Sequence, residues 1–89
     1  MTNEHPLDAE FNTESQVYRY KKHASGGRSL MPIESTDPDE RERRLKDFQA
    51  IAERAVEIAD NLGLKYAKPH DRQISSGAWL IDRIDFGPV

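Results

Sequence analysis

The sequence predicts an α+β fold: a small antiparallel sheet of three or four strands, in the order β-β-α-β, packed on one long amphipathic helix. Three observations predict it. One stretch, residues 37–62, carries an apolar stripe at helical spacing between recognisable caps. The stretch before it, 15–32, alternates like a pair of strands around a glycine-rich turn. The last apolar stretch, "WLIDRIDF" at 79–86, is short and rich in β-formers.

The helix is the clearest element. Asp37 fits the N-cap and Pro38 the first helical position. Glu40, three residues after Asp37, has capping-box spacing, and Asp39 and Glu40 complement the positive end of the helix dipole. Leu45, Phe48, Ile51, Ala52, Ala55, Val56, Ile58, Ala59 and Leu62 fall on one face. Glu42, Lys46, Glu53, Arg54, Glu57 and Asp60 fall on the other, and Gly63 fits a left-handed position just past the end. Arg41 and Arg44 project from the N-terminal end of the apolar side, where they either cover the edge of the core or meet carboxylates of another molecule. Glu40 and Arg44 have the favourable i, i+4 order.

"SQVYRYKK", residues 15–22, reads as an edge strand with Tyr18, Tyr20 and Lys22 on one face and Val17, Arg19 and Lys21 on the other. "HASGG" supplies a turn and "RSLMPI" a return strand, limited by Pro32, which has no N–H to give a ladder. "LKYAKP", residues 64–69, reads as a further extended piece stopping at Pro69, and "HDRQISSGA" as a polar loop. In 79–86 Asp82 spoils an otherwise alternating pattern. The alternative for this end is a helix over 71–86, giving an α-helical hairpin with 37–62; Ser75, Ser76 and Gly77 in its middle disfavour it. Residues 1–14 are polar and acidic with no apolar period, which predicts a flexible acidic arm ahead of a single domain at 15–89. Phe11 is its one large apolar group, able to anchor it.

Composition narrows function by exclusion. The 89 residues contain no cysteine, so neither disulfides nor thiolate metal sites are available. No apolar run approaches the roughly 20 residues that span a bilayer, and the N-terminus lacks a signal-peptide layout, which predicts a cytoplasmic protein with no membrane partner. His5, His23 and His70 form no metal-binding spacing, no G-x-S-x-G elbow is present, and "SGGR" lacks the Lys-Ser/Thr of a phosphate loop. No catalytic residues, metal or cofactor are expected.

Charge points the other way. Residues 1–16 sum to −4, 17–30 to +4, 31–63 to −4 and 64–89 to +1. One basic island in an acidic chain suits a local contact with an acidic partner, or cover by the chain's own acidic arm, better than general nucleic-acid binding. The expected function is a non-enzymatic binding or regulatory module, an inhibitor or accessory subunit, acting on a larger protein through the 17–28 hairpin. The expected contact residues are Tyr18, Arg19, Tyr20, Lys21, Lys22 and Arg28, with Trp79, the only tryptophan, as an interface anchor. The alternative is single-strand nucleic-acid or nucleotide binding, with Tyr18 and Tyr20 stacking on bases and the cations meeting phosphates. An exposed sheet edge also allows self-association.

Overall fold

Helix α1 runs from Pro38 to Asn61 in the computed structural model, which describes residues 4–88. The Asp37 side chain accepts from the Asp39 N–H at 3.0 Å, so the N-cap is as expected. Glu40 does not complete a capping box: its carboxylate takes Arg44 at 2.6 Å and the Ser35 hydroxyl at 3.2 Å. Arg41 donates to the Ser35 carbonyl, so both arginines on the apolar side are engaged locally. At the far end Gly63 has φ +69°. The Leu64 N–H donates to the Ala59 carbonyl and the Gly63 N–H to the Asp60 carbonyl, the paired bonds of a Schellman stop. The buried stripe is Leu45, Phe48, Ala52, Ala55 and Ala59; the three alanines let the helix axis lie close to the sheet.

Four strands form one antiparallel sheet: β1 (Tyr18–Lys22), β2 (Arg28–Pro32), β3 (Ala67–Gln73) and β4 (Trp79–Phe86), in the spatial order β1-β2-β4-β3. The expected β-β-α-β succession is present with one strand added before the last, and the C-terminal region is not a helical hairpin. Residues 71–86 pair back on themselves across a turn whose Gly77 has φ +91°. A glycine that would weaken a helix is what that turn requires. The two hairpins share one turn geometry. His23 N–H donates to Gly27 O and Gly26 N–H to His23 O; Ile74 N–H donates to Ala78 O and Gly77 N–H to Ile74 O. Each turn places Ser-Gly at the same point.

Strand β3 corrects the expected stop at Pro69 and the expected loop after it. The strand continues through Pro69 to Gln73. It is an edge strand with β4 on one side only, so a residue without an N–H is tolerated where no partner would receive it. Asp82 also finds its explanation. His70 pairs with Arg83 but Asp71 with Ile81, so Asp82 is the extra residue of a β-bulge. The bulge returns Ile81 to the core side, where it packs against the buried cluster.

The two central strands pair only over Arg28–Leu30 and Ile84–Phe86. Beyond Leu30, Pro32 has no N–H to offer and the bulge displaces β4, so the strands part. Gln49 of α1 reaches into the gap: its amide donates to the Ile81 carbonyl at 2.6 Å and accepts from the Ile81 N–H at 2.9 Å. The side chain stands in for a missing strand. Glu42 anchors the other end of this hairpin by accepting from the Ser75 N–H.

Residues 5–11, expected within a flexible arm, are packed against the body. A short 3-10 turn at Pro6–Ala9 buries Leu7, and Phe11 and His5 are also buried. His5 accepts the Leu7 N–H at Nδ1, so its Nε2 carries the proton and donates to the Gly87 carbonyl at 3.0 Å. Residues 1–3 of the expected arm lie outside the described residues. The core is thus closed by α1 over β2 and β4 and by the N-terminal segment beside β1. No helix among the described residues is long and apolar enough to cross a membrane.

Replacing Gln49 by Leu orphans the Ile81 N–H and carbonyl and should cost about 2 kcal/mol, read by urea denaturation. Gln49→Glu keeps only the acceptor half and should fall between the two. Equal stability of all three proteins would show that the bulge is held without the amide.

Candidate functional site

The sheet divides the expected contact residues between its two sides. Tyr18, Tyr20, Lys22 and Arg28 lie on the helix side, while Arg19 and Lys21 lie on the open side. Trp79 stands at the start of β4 with 65% of its surface exposed, and packs in no core.

On the helix side the residues form an internal clamp. Arg28 is 1% exposed. Its Nε and Nη2 donate to the two oxygens of Asp8 at 2.8 and 3.0 Å, and its Nη1 donates to the Gly26 and Gly27 carbonyls. Tyr20 donates its hydroxyl to Asp8 Oδ1 at 2.6 Å, and the His5 N–H donates to Oδ2. Phe11 packs edge-on to Tyr18 and tilted over Tyr20, and the Tyr18 hydroxyl accepts the Asn12 N–H. Arg28 and the two tyrosines therefore hold the N-terminal segment instead of facing solvent; cover of the basic island by the acidic arm is as one expectation had it, with Asp8 as the acid that meets them. The Arg28 guanidinium holds the Asp8 carboxyl well below the usual carboxylate range, against an opposing effect of burial. Burial first, and the bond to Asp8 second, push the Tyr20 hydroxyl well above the ordinary phenol range.

The open side collects cations that the sequence scattered. One cross-strand row reads Lys21, Ser29, Asp85, Lys68 over the four strands. The neighbouring positions on this side are Arg19 and Met31, then Arg83 and His70, then Leu80 and Arg72. Arg19, Lys21, Lys68, Arg72 and Arg83 are all exposed, and Asp85 is the one carboxylate that the regular ladder places among them. Lys68, Arg72 and Arg83 were not singled out from sequence. The signal available was the Ser-Gly turn repeated at 76–77, which marks the second hairpin and puts 68, 70 and 72 on one face.

Asp85 is the centre of a polar chain. Ser29 donates its hydroxyl to Asp85 Oδ1 at 2.7 Å and His70 Nε2 donates to Oδ2 at 2.8 Å. His23 Nε2 lies 2.7 Å from the Ser29 oxygen; since the hydroxyl proton is committed to Asp85, the imidazole donates. Burial works to raise the Asp85 carboxyl, but the Ser29 and His70 bonds and the Arg83 charge outweigh it and leave it below the ordinary range. A serine, two histidines and an aspartate meet here, yet in an order opposite to nucleophile activation: the hydroxyl gives its proton to the carboxylate and accepts from the imidazole.

Where β2 and β4 part, a cleft of about 870 Å³ opens, lined by Met31, Ile33 and Leu45, by the bases His70, Arg72 and Arg83 and by the acids Glu34, Asp71 and Asp82. Among the described residues no cluster of His, Asp and Glu is arranged to hold a metal ion. The chain matches no protein-family model, no curated protein and no solved structure.

Removing Asp8 tests the clamp. Asp8→Ala takes the carboxylate away from a buried guanidinium and should cost about 3 kcal/mol, the low end for a broken buried pair because Asp8 keeps some solvent contact. The pH dependence has a definite sign. Asp8 titrates lower in the folded state than in the unfolded chain, so its contribution is present above about pH 4 and is lost as pH falls below that. Asp8→Asn should therefore flatten part of the acid limb of the stability curve, measured by thermal unfolding between pH 7 and pH 2; an unchanged limb would mean that the pair contributes nothing to folding.

Proposed function

We propose that the chain is a non-enzymatic binding or regulatory module, an inhibitor or accessory subunit, that acts on a larger protein through the open face of its sheet. The observation that carries this reading is the segregation of charge. Five exposed cations from both hairpins share one face with a single regular carboxylate, while the N-terminal segment and helix carry most of the acids. A mainly cationic face in a chain of net charge −3 steers towards an acidic surface and away from its own acidic regions. The contact is wider than the 17–28 hairpin, and within that hairpin it rests on Arg19 and Lys21. A cytoplasmic setting accompanies this reading, in keeping with a chain that uses no cysteine.

Two observations weigh against the competing partners. The tyrosines that would stack on bases are turned inward under Phe11, so the cationic face lacks the aromatic platform that single-strand binders combine with charge. Self-pairing of two β1 edges about Tyr20 would set Arg19 of one copy opposite Lys21 of the other, and like charges directly opposite destabilise a ladder.

Charge reversal separates these possibilities. Arg19→Glu, Lys21→Glu and Lys68→Glu together should weaken the complex with the partner purified from source cells by at least about tenfold, and added salt should weaken the native complex in the same direction. Lys46→Glu with Arg54→Glu, on the outer side of α1, should leave it unchanged. If the first set has no effect, the contact lies elsewhere. If an oligonucleotide binds tightly at low salt and is lost with the same three substitutions, the partner is nucleic acid.

A further inference from the structure

We infer that the element of the partner that meets this face is an acidic amphipathic α-helix laid along the strands; this rests on the reading of the open face as a protein-binding surface. The cations are placed as two flanks. Lys21 and Lys68 sit at opposite ends of one four-strand row, three inter-strand spacings or about 14 Å apart. Arg19 continues the first flank along β1 and Arg72 the second along β3. A helix with its side chains is about 10–12 Å across, so it lies between the flanks with carboxylates reaching out to both. A single extended strand is too narrow to engage both at once.

The strip between the flanks suits the apolar stripe of such a helix. Met31 and Leu80 are half-buried there, and the cleft between β2 and β4 opens beside them with Ile33 and Leu45 deeper in. One bulky apolar side chain can enter it as an anchor. Asp85, the carboxylate in this strip, already accepts from Ser29 and His70 with Arg83 at 3.5 Å, which offsets its charge towards an incoming acid. The docked helix would complete a three-layer sandwich, covering the side of the sheet that α1 leaves wet.

The test uses the full chain and a synthetic peptide of about 18 residues, roughly 27 Å as a helix, with a leucine stripe flanked by glutamates. A control peptide differs only by proline at its centre, which breaks the helix without changing charge. Binding followed by amide chemical shifts should perturb Arg19, Met31, Lys68 and Leu80, and the proline peptide should bind at least about tenfold more weakly. Leu80→Asp should weaken the helical peptide comparably. Equal binding of the two peptides, perturbations confined to α1, or no binding at millimolar peptide each overturns the helical assignment. An oligonucleotide that displaces the helical peptide overturns it as well. These outcomes differ from failure of the face itself, which would show as a partner complex indifferent to the charge reversals at Arg19, Lys21 and Lys68.

Discussion

The fold depends on the burial of Arg28. It is the largest side chain that the described structure removes fully from water, and an uncompensated guanidinium in that position would cost several kcal/mol. Its surroundings are arranged to prevent that. Asp8 accepts two of its N–H groups side by side, and the Gly26 and Gly27 carbonyls accept from the third nitrogen. The turn must therefore direct two consecutive carbonyls inward. Gly26 does so at φ +95°, and a Cβ at Gly27 would stand 3.0 Å from the Phe86 carbonyl. The same glycines that reverse the chain also let the end of β4 close over the arginine.

The clamp accounts for how the charge of the basic island is divided between the two sides of the sheet. Arg28 and Asp8 neutralise one another inside, and Lys22 lies 3.8 Å from the same carboxylate. Of the basic island only Arg19 and Lys21 remain on the open face, joined there by cations of the second hairpin. Strand alternation does the sorting: a residue's parity decides whether it serves the clamp or the face. The N-terminal segment is accordingly part of the domain, because without Asp8 the arginine lacks its anion and without Phe11 and Leu7 the flank of β1 is bare.

Legibility from sequence followed the range of the interactions. Helix α1 was readable because its stripe, its Asp37 cap and its Gly63 stop are each set by residues within about a turn of one another. The first hairpin was readable from Val and Tyr in alternation and two adjacent glycines. The second was obscured by Pro69, which is harmless at an outer edge, and by Asp82, which sits in a bulge that only the pairing with β3 reveals. The N-terminal segment was legible only in outline, through Phe11 as an anchor and acids able to cover the basic island: His5, Asp8 and Phe11 have no period, and their partners Gly87, Arg28 and Tyr20 lie in other elements. Three of the seven expected contact residues, Tyr18, Tyr20 and Arg28, turn towards that segment, while Lys68, Arg72 and Arg83 join a face that no linear charge count could assemble.

The cleft on that face follows from features that are each unfavourable alone. Pro32 cannot extend the ladder from β2, the bulge at Asp82 withdraws β4 from it, and the Ile81 N–H and carbonyl would be left without partners. Gln49, one turn from Leu45 on the helix beneath, supplies both a donor and an acceptor to the exposed strand. Its amide satisfies the backbone of Ile81 without lining the cleft. A residue with an N–H in place of Pro32 would allow the central strands to close further, and the open face would then be flat. The cost of the interruption is borne by one side chain of α1, and the result is a cleft of mixed charge beside the cationic rows of the open face.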